Sequence, residues 1–545
     1  MILPTGKEGP KLLKTGAEIV VECILEQGTD TVFGLPGGSI LPVFDALGAA
    51  RERITCVLTS HEQAAAHAAD GYARAAGRPG VCVATGGPGA TNLCTGIAAA
   101  YMDSVPMVCV TGNIPAARIG TDSFQEIDIV GMTIPVTKHN YQVKRTDAVA
   151  ETLREAFALS VSGRPGPVLV DIATDALRGA AAFTPAAPAP PPPDAPVSPL
   201  KAEPLLERIQ RAQAPLILAG GGILRAGASS RLAELAELLD VPVVTTLMGL
   251  GAIPSAHPLF LGMIGAYGNR EANEALSRAD LLIAAGVRFS DRSVCGTALA
   301  EGRLPVIHLD IDRSEIGKNL PAEQFLASDA KTALDLLLRC GPRKHPEWRA
   351  WLETARGARA PAAGYAERLI DRLGSILGPT GSAPYNALVC TDVGQHQMWC
   401  ARLLRHAKPG HFLTSGGAGA MGFGLGAAIG AQCACPEKTV VLVTGDGSLL
   451  MSLGELAVVA RNRLPVIIVV VNNRALGMIR KFQEEQFDSR YFAADLDGGP
   501  DFALLAEAFG ISGGANDTLD AFGAQFRQAL ERRRPALLDC RVPKE

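Results

Sequence analysis

No apolar run in this 545-residue chain approaches the roughly 20 residues needed to span a bilayer; the longest, such as Val466–Val471, are the length of a strand. A membrane protein built of apolar helices is therefore excluded. The N-terminal MILPTGKEGPKLLKTG has no continuous apolar stretch ahead of its lysines, so no secretory signal is read and a cytoplasmic location is expected. Neither charge sign is in excess: 51 basic against 55 acidic residues give a formal charge of −4, which removes the basic footprint of a nucleic-acid binder. None of the twelve cysteines forms a CxxC pair. With Cys82, Cys109 and Cys390 inside apolar runs, reduced buried thiols are expected instead of zinc or disulfides. With 48% hydrophobic and 19% charged residues, the composition is that of a folded globular chain, too long for one core.

Three segments are expected, at 10–180, 200–340 and 365–545. The first two are separated by Pro185–Pro199, whose eight prolines and alanine spacers can neither pair into a sheet nor continue a helix and read as a semi-rigid linker. A weaker boundary falls in the charged, small-residue stretch Gly341–Ala363. Each segment repeats a βα rhythm. ITCVLTS, PGVCVATGGPG, MVCVTGN and GPVLVDIA mark the first, APLILAGGG, VPVVTTL, ADLLIAAGV and LPVIHLDID the second, and ALVCTDVG, KTVVLVTGDG, LPVIIVVVNN and PALLDCRV the third. Continuous apolar strands alternating with helices predict an α/β chain of three doubly wound parallel-sheet domains. Ligands then belong at the carboxyl ends of the strands, where the Gly-rich turns fall.

The most specific turn is Gly445-Asp446-Gly447, followed by an amphipathic helix over Met451–Arg461 and a strand over Val466–Val471 that ends in Asn472-Asn473. An Asp and an Asn on one sheet edge are hard oxygen ligands suited to Mg²⁺, with phosphates and waters completing the octahedron. Gly445 and Gly447 let a diphosphate approach the backbone, and the helix start at Ser448 adds amide donors. An ordinary βα turn capped by Asp is the plainer alternative. Earlier in the chain, Glu62 opens the Ala-rich stretch HEQAAAHAADGYARA directly after a strand, either as a capping carboxylate or as a functional one. The turn Gly86-Gly87-Pro88-Gly89-Ala90-Thr91-Asn92 follows the next strand. A cofactor that needs a carboxylate at one end and a metal-bridged diphosphate at the other is thiamine diphosphate.

On these stretches, together with FGLPGGSILPVFDAL, GTDSFQEIDIVG, GVRFSDR, HLDIDRSEIGKN, TDVGQHQMW, SGGAGAMGFGLGAAIGA and NNRALGMIR, the chain resembles the thiamine diphosphate enzymes, and among them the catalytic subunits of acetolactate synthase. The likeness covers nearly the whole chain. It implies decarboxylation of pyruvate on thiamine diphosphate and transfer of the hydroxyethyl unit to a second 2-keto acid, pyruvate or 2-ketobutyrate, in branched-chain amino-acid biosynthesis. Another thiamine diphosphate carboligase and a non-catalytic cofactor-binding paralogue are the alternatives.

The resemblance also implies roles. Glu62 would hydrogen-bond the aminopyrimidine, Gly86, Pro88, Asn92 and Gly419 would bind the cofactor, Gln125 would lie near its reactive end, and Met421 would be the apolar wedge under the bent cofactor. Asp446, Asn473 and the Ala475 carbonyl would hold Mg²⁺. Gln395, His396, Gly445, Gly447 and Ser448 would meet the diphosphate. Positions matching flavin contacts are Arg164, Gly220, Gly221, Gly222, Thr246, Leu247, Gly286, Arg288, Asp310, Ile311, Asp329 and Ala330, so FAD is expected in a structural role. Arg292 matches the arginine that meets the second keto acid's carboxylate. Because Glu62 and Asp446 belong to different segments, and in this family to different subunits, a homodimer or homotetramer is implied, with a small regulatory subunit as a further partner. Two positions depart from the family. Phe482 replaces a tryptophan associated with preference for 2-ketobutyrate, and Thr174 replaces a lysine. Lesser departures are Tyr267 and Ser328.

Overall fold

The computed structural model describes residues 12–188, 198–357 and 362–544. Most of the proline-rich stretch expected as a linker lies outside them. Three six-stranded sheets, parallel throughout, form three α/β domains. Across the first sheet the strands run Thr55–Leu58, Thr31–Leu35, Gly80–Thr85, Met107–Asn113, Pro167–Ala173 and His139–Val143. The middle sheet runs Phe260–Met263, Val243–Thr245, Pro215–Ala219, Leu281–Ala285, Val306–Asp310 and Gln324–Ala327. In the third the order is Phe412–Leu413, Leu388–Thr391, Val440–Gly445, Val466–Asn472, Ala536–Arg541 and Ser512–Asn516. A short antiparallel pair, Leu12–Thr15 with Ala180–Phe183, brings the two ends of the first domain together.

The central strands are the continuous apolar runs, buried along their whole length, as strands covered by helices on both faces must be. The charged stretch 341–363 contains the helix Pro346–Gly357. Trp348 of that helix sinks into the middle domain's core and donates from its indole nitrogen to the Pro215 carbonyl at 2.7 Å.

The first and third domains share one core, in which Phe33, Tyr72 and Ile97 meet Leu425, Ile429 and Val470. Its axis is the contact between the helices Glu62–Ala76 and Phe423–Ala434. Here the backbones touch. A Cβ on Gly71 would stand 2.1 Å from the Ala427 carbonyl oxygen, and one on Gly430 would stand 1.8 Å from that of Ala68. The alanine-rich composition of both helices, which leaves little amphipathic signal, follows from this close approach.

One expected element differs. The helix expected over Met451–Arg461 is instead a helix Asp446–Leu450, a 3₁₀ turn Leu453–Glu455 and a helix Leu456–Arg461. The interruption sits where Gly454 and Glu455 contact Ser60 of the first domain, so a tertiary bond outweighs local helical periodicity. All twelve cysteines are free thiols, most of them buried. Among the described residues no helix is long and apolar enough to cross a membrane.

Candidate active site

The carboxyl edges of the middle and third sheets face each other across a cavity of about 1120 Å³. Its third-domain wall is made by Gln395, His396, Gly419, Met421, Gly445, Asp446, Gly447, Ser448, Asn473 and Ala475. Strand register explains the meeting: Gly445 pairs with Val471 at the ends of neighbouring strands, so the residues just beyond them emerge side by side. Asp446 is 4% exposed, and burial pushes its carboxyl up to about 6 despite amide donors at Gly447, Ala475 and Arg474. The Asn473 amide oxygen accepts from the Ala475 amide at 3.1 Å. The loop is strapped from outside, Leu476 bonding the Ala494 carbonyl and Leu496 that of Arg474.

His396 is buried, and desolvation pulls its imidazole down to about 4, so it is neutral at pH 7. Its Nε2 has no hydrogen-bond partner among the described residues. An unmet polar atom inside a cavity, glycines at 445 and 447, and the helix that opens at Asp446 together fit an anionic diphosphate. The oxygen set of Asp446, Asn473 and the Ala475 carbonyl holds a single charge. It suits Mg²⁺ when phosphates complete the shell, and no cluster of three or more His, Cys, Asp or Glu metal ligands occurs among the described residues.

Asp392 organises the turn that presents Met421. Its Oδ1 accepts from Val393 at 2.8 Å and Gly422 at 3.0 Å, and its Oδ2 from Gly424 at 2.8 Å. Sequence reasoning passed over this residue; its only visible mark is an Asp at the end of an apolar strand.

The middle-domain wall holds Gly221, Gly222, Thr246, Leu247, Gly286, Arg288, Asp310, Ile311, Asp329 and Ala330. Gly220 lies behind it, its Cα packed so that a Cβ would stand 2.0 Å from the Gly286 oxygen. Asp329 also caps the helix Ala330–Leu337, accepting from Lys331 at 2.8 Å. Burial pushes Asp310 up to about 6 and holds Arg288 below the usual guanidinium range. Arg164 enters from the first domain and binds Glu315 at 2.8 Å and Asp312 at 3.3 Å. Arg225, which sequence reasoning also missed, lines the same wall and donates at 3.5 Å to the Asp103 carbonyl. Guanidinium groups and close-packed glycines fit a phosphate-bearing dinucleotide such as FAD. Gly286 has φ +62°, and a Cβ there would stand 2.5 Å from the Gly222 Cα. Gly286→Ala is expected to cost about 2–4 kcal/mol, measured by urea unfolding.

Asp103 closes the seam between domains. It accepts from Arg74 at 2.9 Å, Gly416 at 3.0 Å and Gly417 at 2.7 Å. Arg292, its side chain 66% exposed, lines the cavity near Tyr267, and Phe482 lines it too. Thr174 is directed elsewhere, its hydroxyl donating to the Ser39 carbonyl at 2.6 Å, and Ser328 is buried beneath Asp329.

A second cluster forms in the first domain. Glu62 begins its helix, is 7% exposed and accepts from the Asn92 amide at 3.0 Å. Gly89 packs against it, and Gln125, at φ +60°, covers Gly87. Gly86 donates to the Ser39 hydroxyl at 3.0 Å, and Pro88 opens the short helix Pro88–Asn92. Among the described residues, Glu62, Gly86, Pro88, Asn92 and Gln125 are not part of the cavity lining of their own chain. The Glu62 cluster and the cavity are therefore two separate groupings of side chains.

The family models for thiamine pyrophosphate enzymes match in three consecutive parts: the N-terminal TPP binding domain over residues 14–132, the central domain over 202–337 and the C-terminal TPP binding domain over 392–540. Within that class, the chain is 41% identical to a probable acetolactate synthase large subunit of Methanocaldococcus jannaschii, covering 96% of this chain and 91% of the relative. It is 42% identical to the acetolactate synthase large subunit of Parasynechococcus marenigrum, over 97% and 87% of the two chains. Identity to the acetolactate synthase isozyme 2 large subunit of Escherichia coli is also 42%, over 97% and 95%. The chain belongs to the acetolactate synthase large-subunit family of thiamine pyrophosphate enzymes.

Proposed function

We propose that the protein decarboxylates pyruvate on thiamine diphosphate and joins the resulting two-carbon unit to a second 2-keto acid, forming acetolactate or its 2-ketobutyrate counterpart. The observation that carries this reading is the single cavity joining the Asp446–Asn473 edge to an arginine- and glycine-lined middle wall, together with family membership. When bound, the thiazolium supplies the electron sink for decarboxylation. The chain's own work is placement. Asp446, Asn473 and the Ala475 carbonyl would hold Mg²⁺, Gln395 and His396 would take the diphosphate, and the middle wall would take FAD. Met421, fixed by the Asp392-anchored turn, would pack as an apolar wedge against the bound cofactor. Glu62 would share a proton with the aminopyrimidine, Gln125 would lie near the cofactor's reactive end, and Arg292, its side chain 66% exposed, would receive the acceptor's carboxylate.

Since Glu62 stands outside the cavity of its own chain, a second copy completes the site, and a homodimer or tetramer is the working form. The relatives are named large subunits, which supports a separate small regulatory chain, and a cytoplasmic location accords with this chemistry.

Acetolactate should form from pyruvate only when both Mg²⁺ and thiamine diphosphate are present. Release of CO₂ without acetolactate would assign the chain to another carboligase or decarboxylase. Phe482 lines the cavity beside Met478 and Ile479, where it contacts the space open to the acceptor. Phe482→Trp is expected to raise the preference for 2-ketobutyrate over pyruvate by about 5–50-fold, read as the product ratio with both acids in competition.

A further inference from the structure

Glu455 belongs to the third domain, yet its carboxylate serves the first. It is 1% exposed, and its two oxygens accept from the Ser60 amide at 3.1 and 3.2 Å. The His61 amide is a second backbone donor to it. Beside it, the Gly454 carbonyl accepts from the Ser60 hydroxyl at 2.8 Å, and Arg461 donates to the Leu58 carbonyl at 2.9 Å. A Cβ on Gly454 would stand 3.3 Å from that of Ser60, so the segment comes this close because it lacks a side chain there. Residues 58–61, the turn between the strand Thr55–Leu58 and the helix that opens at Glu62, therefore lean on one stretch of the third domain.

Burial pushes the Glu455 carboxyl up to about 7, with Arg461 the one opposing charge. A desolvated carboxylate with backbone donors as its main support is costly to keep ionised. Local structure gives no reason for it, since the contact interrupts what would otherwise be a continuous helix.

We infer that Glu455 is a positioning residue for Glu62: by gripping the Ser60 and His61 amides it fixes the start of the helix that carries the Glu62 carboxylate, and so the direction from which that carboxylate meets the aminopyrimidine. The inference rests on the role proposed above for Glu62. The segment 446–455 starts at Asp446, in the cavity, and ends at this grip. One stretch of chain therefore holds both the diphosphate edge of a subunit and the glutamate that the subunit offers to a different cavity.

The test uses the full chain loaded with Mg²⁺ and thiamine diphosphate, with Glu455→Gln, Glu455→Asp and Ser60→Ala compared against the unaltered protein. The readouts are hydrogen–deuterium exchange at the cofactor's C2 in acid-quenched samples, kcat, KM for pyruvate and affinity for thiamine diphosphate. Glu455→Gln is expected to slow C2 exchange and kcat together by about 10–100-fold, because a displacement near 1 Å has effects of this size. KM and cofactor affinity should stay within about threefold. Glu455→Asp, which keeps the charge, recovers part of the loss, and Ser60→Ala shows the same pattern more weakly. Exchange at the unaltered rate in Glu455→Gln overturns the inference, as does a loss confined to stability and cofactor affinity. Should Glu455→Gln fail to fold, the other two variants decide by the same criteria. Glu62→Gln separates the two levels: full activity there defeats the proposed site itself, whereas loss of exchange there with normal exchange in Glu455→Gln defeats only the positioning role.

Discussion

Replacing Glu62 by Gln is expected to lower acetolactate formation by about 10²–10⁴-fold, the range that a positioned acid–base group contributes. The side chain is nearly isosteric, and the site is shaped to hold it: Glu62 is 7% exposed, at the first turn of its helix, and bonded to Asn92 at 3.0 Å. Its helix is buried against the third domain along most of its length, so the fold does not depend on this carboxylate. Loss of a negative charge at a helix start costs only about 0.3–1 kcal/mol. Activity and stability should therefore separate. Thermal unfolding and oligomeric state stay near those of the unaltered protein while C2 exchange on the cofactor collapses with turnover. A variant retaining more than a tenth of the activity would show that the carboxylate is a cap and nothing more.

Asp446→Asn should have opposite effects on stability and on function. Burial raises the Asp446 carboxyl from 3.8 to about 6, so the metal-free fold binds that proton more tightly than the unfolded chain does. The stability it confers is fully present below pH 3.8 and is lost as the pH rises through about 6. At pH 8 the ionised, desolvated carboxylate therefore costs about 2–3 kcal/mol, and an amide relieves most of it. The metal-free variant is expected to unfold at higher urea than metal-free parent protein at pH 8, with the gap closing below pH 4. Affinity for Mg²⁺–thiamine diphosphate, measured by calorimetry, should fall by at least about 100-fold, since Asp446 carries the only charge in the proposed ligand set. A variant that binds the cofactor normally would place the metal elsewhere.

What the sequence made legible followed from burial. Strands covered on both faces, such as Val466–Asn472 and Met107–Asn113, are continuous apolar runs and stand out. Several edge strands do not: Ser512–Asn516 carries two glycines, His139–Val143 is mostly polar and half exposed, and Phe412–Leu413 is two residues long. The glycine turns and the Asp–Asn pair were readable because they follow directly on buried apolar strands, where the structure places them. Asp392, Asp103, Arg225 and Glu455 were not, because each acts on a partner far away in the chain: Asp103 on Gly417, Glu455 on Ser60. The interruption of the helix after Leu450 was hidden for the same reason. Sequence spacing also gives no sign of which cavity Glu62 faces; only the lining of the cavity separates it from Asp446 of the same chain.

That separation leads to the most direct test. Glu62→Gln and Asp446→Asn proteins, each inactive alone, are mixed in equal amounts, dissociated and reassembled in the presence of Mg²⁺, thiamine diphosphate and flavin. If each site takes Glu62 from one chain and Asp446 from another, half of the random dimers carry one intact site of two, and acetolactate formation returns to about a quarter of that of the unaltered protein. If the mixture stays inactive although mixed dimers form, Glu62 and Asp446 serve the same chain, and the two-half-site arrangement is wrong.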